Sequence, residues 1–231
     1  MKHVKLAVFD LDGTLAEIGK PVLADSVQKL KEIEEKEVTI AICSGKPTYY
    51  LCGLMRQVGL RRPILIGENG GVIQFGVNLP PRQFYILPHS EEAKQSISFI
   101  RDSFAKLMPD MWYQPNLVGL TPFPKQKEEF DIINTFLKEH ENDLKEIDVY
   151  RFVDCFDFMP QQISKGAGLA YLGELLHILP EEMVVFGDSS NDYPMFAYAG
   201  CAVGIHLKER ERADWNFDTI GEALKWLAER I

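Results

Sequence analysis

Short apolar runs alternate with segments of helical periodicity over the first third of the chain. The runs are Leu6–Phe9, Val38–Cys43 and Pro63–Gly67, and the periodic segments are Ala24–Lys36 and a stretch from Pro47 to about Val58. Runs of this kind are typical of strands buried on both faces, and the periodic segments are typical of amphipathic helices. Strand, helix, strand, helix, strand predicts a parallel, doubly wound α/β sheet.

The alternation of strands and helices stops after the third strand, where Val72–Val77 resembles a hairpin arm and prolines become frequent. The pattern beyond it predicts short strands and two longer helices. The strands are expected at Gln83–Leu87, near Leu117–Thr121, at Ile147–Phe152 and at Asp157–Met159, and the helices at Glu91–Leu107 and Glu128–His140. We therefore predict an inserted α+β cap domain with an antiparallel sheet at residues 80–160.

The parallel pattern resumes after the insert. It predicts helices at Lys165–Leu176, Tyr193–Ala199 and Ile220–Glu229, and strands at Met183–Phe186 and Cys201–Ile205. Residues 1–79 and 161–231 would then form one catalytic core. A sheet that pauses for an inserted domain and then continues is typical of a core-plus-cap enzyme.

The composition limits which binding partners and which cellular compartment are expected. The chain has 231 residues, 46% of them hydrophobic, which suffices for a main domain with a smaller insert. A formal charge of −9 disfavours a general nucleic-acid binder or a protein of anionic membranes. No apolar run approaches the ~20 residues of a membrane span, and the start of the chain lacks a signal-peptide layout. The four scattered cysteines fit reduced thiols, so we expect a cytoplasmic protein; its oligomeric state is not predicted.

Polar residues follow the predicted strands or the insert at four places. They are Asp10 and Asp12, then Ser44, Gly45 and Lys46, then Lys165, and finally Asp188, Asn191 and Asp192. Ligands of open α/β sheets bind at the carboxyl ends of the strands, so these groups should lie together. Four carboxylates at one edge repel one another without a cation. Oxygen donors without His or Cys favour Mg²⁺.

The same groups suit phosphoryl transfer. Lys165, Ser44 and the Gly45 amide could hold a phosphate, and the lysine ammonium would keep a neighbouring carboxylate ionised. A carboxylate nucleophile can form an aspartyl-phosphate. Asp12, two residues after Asp10, could protonate the leaving group because Gly13 permits a sharp turn.

Four ordered segments resemble the motifs of the haloacid dehalogenase-like (HAD) superfamily. They are DLDGT at Asp10–Thr14, Ser44-Gly45, Ser164-Lys165-Gly166, and GDSSND at Gly187–Asp192. ENGG at Glu68–Gly71 and the position of the insert resemble subfamily IIB, the Cof-like, sucrose-phosphatase-like and phosphoglycolate-phosphatase-like group. The resemblance implies a Rossmann-like core, an α/β cap, Mg²⁺, and phosphatase activity on a small phosphorylated metabolite bound between core and cap.

The resemblance also implies residue roles. Asp10 would be the nucleophile and Asp12 the general acid/base, with its backbone carbonyl also on the metal. Ser44, Gly45, Lys165 and Asn191 would bind phosphate, and Asp188 and Asp192 would complete the metal site. Glu68 and Asn69 would support the metal edge, or they could be ordinary polar residues of a loop. Two residues depart from the pattern of many relatives: Lys46 replaces an arginine and His206 an asparagine, and both remain candidates for contacts to substrate or to the site residues.

Several alternatives stay open from the sequence. Asp10 and Asp12 could be ordinary turn carboxylates, Ser44 could cap the helix that starts near Pro47, and Lys46 could be a surface residue. A phosphosugar mutase of the same superfamily would return the phosphoryl group to the sugar. A receiver-like domain, or a catalytically silent HAD fold, would bind phosphate or regulate without turnover.

Overall fold

The computed structural model describes residues 3–231. The chain forms two compact units. The first runs as far as Leu87 and resumes at Ser164–Ile231, and the second is Pro88–Ile163. Within residues 3–231, every helix is too short or too polar to cross a bilayer.

The helices and strands follow one another along the chain and are numbered in that order. They are β1 Leu6–Phe9, α1 Ala24–Glu35, β2 Thr39–Cys43, α2 Thr48–Val58, β3 Ile64–Gly67, β4 Val72–Phe75, β5 Phe84–Ile86, α3 Glu91–Leu107, β6 Trp112–Gln114, β7 Thr121–Phe123, α4 Lys127–Glu139, β8 Ile147–Arg151, β9 Phe156–Pro160, α5 Lys165–Leu176, β10 Met183–Gly187, α6 Tyr193–Tyr198, β11 Cys201–Ile205, β12 Trp215–Phe217 and α7 Ile220–Ala228.

One eight-stranded sheet forms the first unit, in the order β12-β11-β10-β1-β2-β3-β4-β5. The six strands from β12 to β3 run parallel, and β4 and β5 add an antiparallel edge. The predicted α/β class with a doubly wound parallel sheet is confirmed. Because β1 lies at the centre, between β10 and β2, the carboxyl ends of these three strands meet at one edge.

The central strand is buried along its whole length, as its apolar run predicts. Each of its four residues is 0% exposed. Ala7 and Phe9 pack in a core that includes residues of α1, α2 and α7. The Phe9 ring stacks on Phe186 of β10, with ring centroids 4.4 Å apart. This packing fixes the position at which β1 ends and the polar residues begin.

The second unit has a core of its own. Phe104 of α3, Phe136 of α4 and Phe158 of β9 are buried in one apolar cluster. The β6–β7 and β8–β9 pairs are antiparallel, and an isolated bridge joins Leu120 to Phe158. An α+β arrangement with antiparallel pairing is what the sequence predicts for the insert.

Some elements differ from the sequence prediction. The strand expected at Gln83–Leu87 is β5, and it pairs with β4 in the large sheet, so the second unit begins at Pro88 and not at residue 80. The strand expected near Leu117–Thr121 is shifted to β7. β6 and β12 were not predicted, because three partly exposed residues form no apolar run.

Candidate active site

Asp10 is the first residue beyond β1, and the sheet holds it in place. Its backbone N–H donates to the Phe186 carbonyl of β10 at 2.9 Å, and its own carbonyl accepts from Leu15 N at 3.2 Å. The residue is only 5% exposed. A carboxyl group is thus fixed between the ends of two strands, away from bulk water.

Lys165 connects two of the predicted acids. Its Nζ donates to Asp10 Oδ1 and to Asp192 Oδ1, each at 2.6 Å, and its side chain is buried. The lysine is the first residue of α5, whose N-cap Ser164 accepts a hydrogen bond from Ala167 N. The helix with which the first unit resumes therefore places its ammonium against the carboxylate beyond β1.

Asp192 braces the segment that follows β10. Its Oδ2 accepts the backbone N–H groups of Asp188 at 2.9 Å and of Ser189 at 3.1 Å. A Cβ on Gly187 would lie 2.5 Å from the Asp192 side chain, so only glycine fits there. Both oxygens of Asp192 are engaged by protein donors, which gives this residue a supporting position.

Three carboxylates form a group that could hold a metal ion. Oxygen atoms of Asp10, Asp188 and Asp192 lie within 4.8 Å of one another. Thr14 Oγ1 donates to Asp188 Oδ1 at 3.1 Å, and a Cβ on Gly13, at φ 92°, would lie 2.5 Å from Asp188 Oδ2. This all-oxygen donor set, with one ligand held in place by a hydroxyl and a glycine, fits a hard divalent cation.

The electrostatics of the cluster favour a cation as well. Burial raises the pKa of Asp10 from 3.8 to about 7, against the lowering by Lys165, and Asp192 adds to the rise. Burial and Asp192 also raise the pKa of Asp188. Burial alone would lower the pKa of Lys165, but Asp10 and Asp192 outweigh it, so the pKa lies above its ordinary value. The single positive charge of Lys165 does not balance the negative charges of Asp10, Asp188 and Asp192.

Lys165 was expected to keep Asp10 ionised. It does lower the pKa of Asp10, but burial outweighs it. A divalent cation against the carboxylate would reverse the balance, since a bound cation is the largest local charge in such a site.

The Ser44–Lys46 loop follows β2 and contains the predicted phosphate-binding groups. Ser44 is buried, its N–H donates to the Ile66 carbonyl at 2.9 Å, and its Oγ accepts from Lys46 N at 3.3 Å. Pro47 is the N-cap of α2, so Ser44 does not cap that helix. Lys46 Nζ lies 3.1 Å from Asp12 Oδ2, which brings this departure from the family pattern to the predicted acid.

The remaining candidates are Asn191, Glu68, Asn69 and His206. Asn191 Oδ1 accepts from Ser189 Oγ at 2.8 Å. Glu68 is buried, and Asn69 lies against Gly45. His206 is exposed, at φ 47°, and lines a cavity of about 340 Å³ on the Gly13–Thr14 turn.

A larger cavity of about 580 Å³ lies between α3 and α4, where the described lining residues include no predicted site residue.

Two residues near the cluster were not singled out from the sequence. Thr14 could have been identified, because a polar side chain following Gly13 in DLDGT lies within reach of the acids. Cys43, at the end of β2, gives no such signal. Burial raises the pKa of its thiol to about 12, against the effect of Lys165, so it remains protonated.

The order of the sheet, with acids at the ends of its central strands, is that of the HAD-like fold. A haloacid dehalogenase-like hydrolase from Bacteroides thetaiotaomicron superposes with a TM-score of 0.75 at 20% identity, covering 97% of this chain and 99% of that one. The HAD subclass IIB sugar phosphatase BT4131 gives 0.72 at 19% identity, covering 97% and 99%.

Residues 3–229 match the family model described as sucrose-6F-phosphate phosphohydrolase, and the chain belongs to that family. A phosphoglycolate phosphatase from Methanoculleus marisnigri is 24% identical over 218 residues, which are 92% of this chain and 89% of the relative. The predicted class, a phosphatase of the HAD superfamily, is confirmed.

Proposed function

We propose that the protein is a Mg²⁺-dependent phosphatase that hydrolyses a small phosphorylated metabolite through an aspartyl-phosphate on Asp10. The observation that carries the proposal is the position of Lys165, whose ammonium lies 2.6 Å from Asp10 beside a group of three carboxylates. A buried carboxylate paired with a cation at a strand end is suited to attack phosphorus, because it is already desolvated and oriented.

In the first half-reaction a carboxylate oxygen of Asp10 attacks phosphorus, and the bond from phosphorus to the leaving oxygen breaks. Asp12 gives its proton to that oxygen, so the leaving group departs as an alcohol. In the second half-reaction Asp12 takes a proton from water as the water attacks the phosphorus. The bond to Asp10 breaks, phosphate is released and the carboxylate is restored.

Other residues hold the phosphoryl group and the charge. Lys165, Ser44 and the Gly45 N–H bind the phosphate oxygens, and Asn191 assists them. Asp10, the Asp12 carbonyl and Asp188 would hold Mg²⁺, with Asp192 supporting them. When bound, Mg²⁺ would neutralise the charge that the carboxylates and the phosphate bring together.

For the substrate we propose a sugar phosphate or a phosphoglycolate-like acid. Support comes from the family description, from the relatives named phosphoglycolate phosphatase and from the sugar phosphatase BT4131. We assign selection of the leaving group to the unit Pro88–Ile163, which has its own core and carries none of the four motifs.

The test is phosphate release from p-nitrophenyl phosphate and from a panel of phosphorylated metabolites in Mg²⁺. Asp10→Asn should abolish release, because an amide oxygen is a poor nucleophile here. The matched control is Asp25→Asn, at an exposed aspartate in the first turn of α1, which should retain wild-type activity. Full activity of Asp10→Asn would contradict the mechanism. Transfer within a monophosphate without release of free phosphate would indicate a mutase.

A further inference from the structure

The turn Glu68–Gly70, directly after β3, has an unusual backbone. Glu68 has φ 53° and Asn69 φ 51°, so two consecutive residues with side chains are left-handed, and Gly70 follows at φ 103°. Left-handed backbone is unfavourable for residues other than glycine, although asparagine tolerates it better than most. Such a conformation persists where the surrounding structure fixes it, and it is frequent at functional sites.

On one side the turn holds the Ser44–Lys46 loop. Asn69 N donates to the Ser44 carbonyl and Glu68 N to the Lys46 carbonyl, each at 3.0 Å. In a trans peptide the N–H points opposite to the C=O. Holding the Ser44 carbonyl toward the turn therefore aims the N–H of Gly45 away from it. A Cβ on Gly45 would lie 3.4 Å from the side-chain amide of Asn69, so this amide packs directly behind the glycine.

On the other side the turn packs against the start of α5. A Cβ on Gly70 would collide with the Ser164 carbonyl oxygen, and a Cβ on Gly168 would lie 2.6 Å from Gly70 Cα. These are contacts between backbones, which leave little freedom to slide. Ser164 and Gly168 lie on either side of Lys165 at the start of that helix. The Glu68–Gly70 turn therefore also fixes the position of the Lys165 backbone.

We infer that Glu68–Gly70 is a positioning element, with Asn69 as its principal positioning residue. It fixes the spacing between the Gly45 amide and Lys165, the two donors that would hold a phosphate from different segments. This inference rests on the proposed function. A shift in that spacing should weaken inorganic phosphate binding and slow turnover together, since both need the two donors at once.

The experiment compares Asn69→Ala with Asn69→Gly. Alanine disfavours the left-handed backbone, whereas glycine adopts it freely and removes only the side chain. Inorganic phosphate affinity is measured by calorimetry in Mg²⁺, and kcat and KM with p-nitrophenyl phosphate. Asn69→Ala should lose about tenfold or more in kcat and in phosphate affinity, with Asn69→Gly intermediate.

Glu37 provides a matched control, because it is also left-handed, at φ 62°, but lies before β2, at the opposite end of that strand from Ser44. Glu37→Ala should lower the melting temperature and leave the kinetics and phosphate affinity unchanged. If both Asn69 variants match the wild type in kcat and phosphate affinity, or lose only melting temperature, the inference is wrong. If Asn69→Ala does not fold, Asn69→Gly decides by the same criteria.

The proposed function fails by a different observation, namely a wild-type protein that hydrolyses no phosphate ester in the panel. Phosphate affinity would still be compared between wild type and variants. Unchanged affinity in Asn69→Gly and Asn69→Ala would then overturn the positioning role, and a graded loss would support it.

Discussion

Asp10 shows how strongly the surroundings of a single residue decide its chemistry. Its pKa is raised to about 7 because burial disfavours the charged form more than Lys165 favours it. The unfolded chain would ionise this group near pH 4. Between about pH 4 and pH 7 the folded, metal-free protein therefore holds a proton that the unfolded chain releases.

Two pH effects follow from this difference. The contribution of Asp10 to the free energy of unfolding should fall as pH rises from about 4 to about 7 in metal-free protein, and then level off. Mg²⁺ affinity should rise over the upper part of that range, because the ion competes with the proton. Melting temperatures in EDTA and calorimetric titrations with Mg²⁺ at pH 5.5 and 8 measure both effects.

The variant Asp10→Asn serves as the reference for this experiment, because its amide does not titrate in this range. It should remove the part of the stability slope that Asp10 causes. A wild-type protein whose Mg²⁺ affinity is equal at pH 5.5 and 8 would contradict the expectation.

For individual residues, the sequence is enough to predict which side chains form the site. Asp10, Asp192 and Lys165 were predicted to lie together, and the structure brings them within hydrogen-bonding distance. The direction of the Asp10 pKa shift was not predictable from residue types, since it depends on how completely the group is buried. Thr14 was within reach of sequence reasoning, since it follows Gly13 in DLDGT, but its particular partner, Asp188, is given only by the structure.

The helices and strands bring these residues together, and α5 places a positive charge where a helix disfavours one. Lys165 is the first residue of this helix, where the helix dipole disfavours a positive charge. Asp10 and Asp192 provide the negative charge that offsets it. The helix start, the strand end and the turn after β10 therefore stabilise one another.

Lys165→Met should lower the free energy of unfolding by about 3–5 kcal/mol in EDTA, because it leaves two buried carboxyl groups without their cation. Urea denaturation measures this loss. The double variant Lys165→Met/Asp192→Asn should be less destabilised than the sum of the two single variants, since the second change removes one of the uncompensated charges. Additive losses would mean that the three groups do not act as a unit.

Element prediction succeeded for strands that are buried along their whole length and failed for short, partly exposed strands. β1 was found at the observed position because each of its residues is buried and apolar, and α5 coincides with the predicted helix Lys165–Leu176. β5 was assigned to the insert because the pattern of a single strand does not reveal its partner. Its antiparallel pairing with β4, which includes Ile73 opposite Tyr85, places it in the large sheet. β12 was missed because Trp215–Phe217 is short and partly exposed.

At the scale of the whole molecule, the two units have separate apolar cores. The single sheet of the first unit is completed by chain segments from both sides of the insert, so the insert can vary while the site stays assembled. Predicting the insert from the change in sequence pattern was possible because the parallel rhythm stops and later resumes.

Phe104→Ala should destabilise the second unit by about 3–5 kcal/mol, since it removes a ring that is 0% exposed. Hydrogen exchange should then accelerate in α3 and α4 and remain unchanged in β1. Phe99→Ala, on the same helix but 38% exposed, is the control and should have a smaller effect. Equal acceleration in β1 would show that the two units unfold together.

The buried thiol of Cys43 has a consequence for how the protein withstands oxidants. Peroxides and alkylating reagents attack thiolates, and this thiol is shielded from solvent and stays protonated because its pKa is raised to about 12. It also lies close enough to Lys165 and Asp10 for their charges to affect it. We therefore expect Cys43, close to the proposed nucleophile, to react slowly with peroxides and alkylating reagents while the protein is folded.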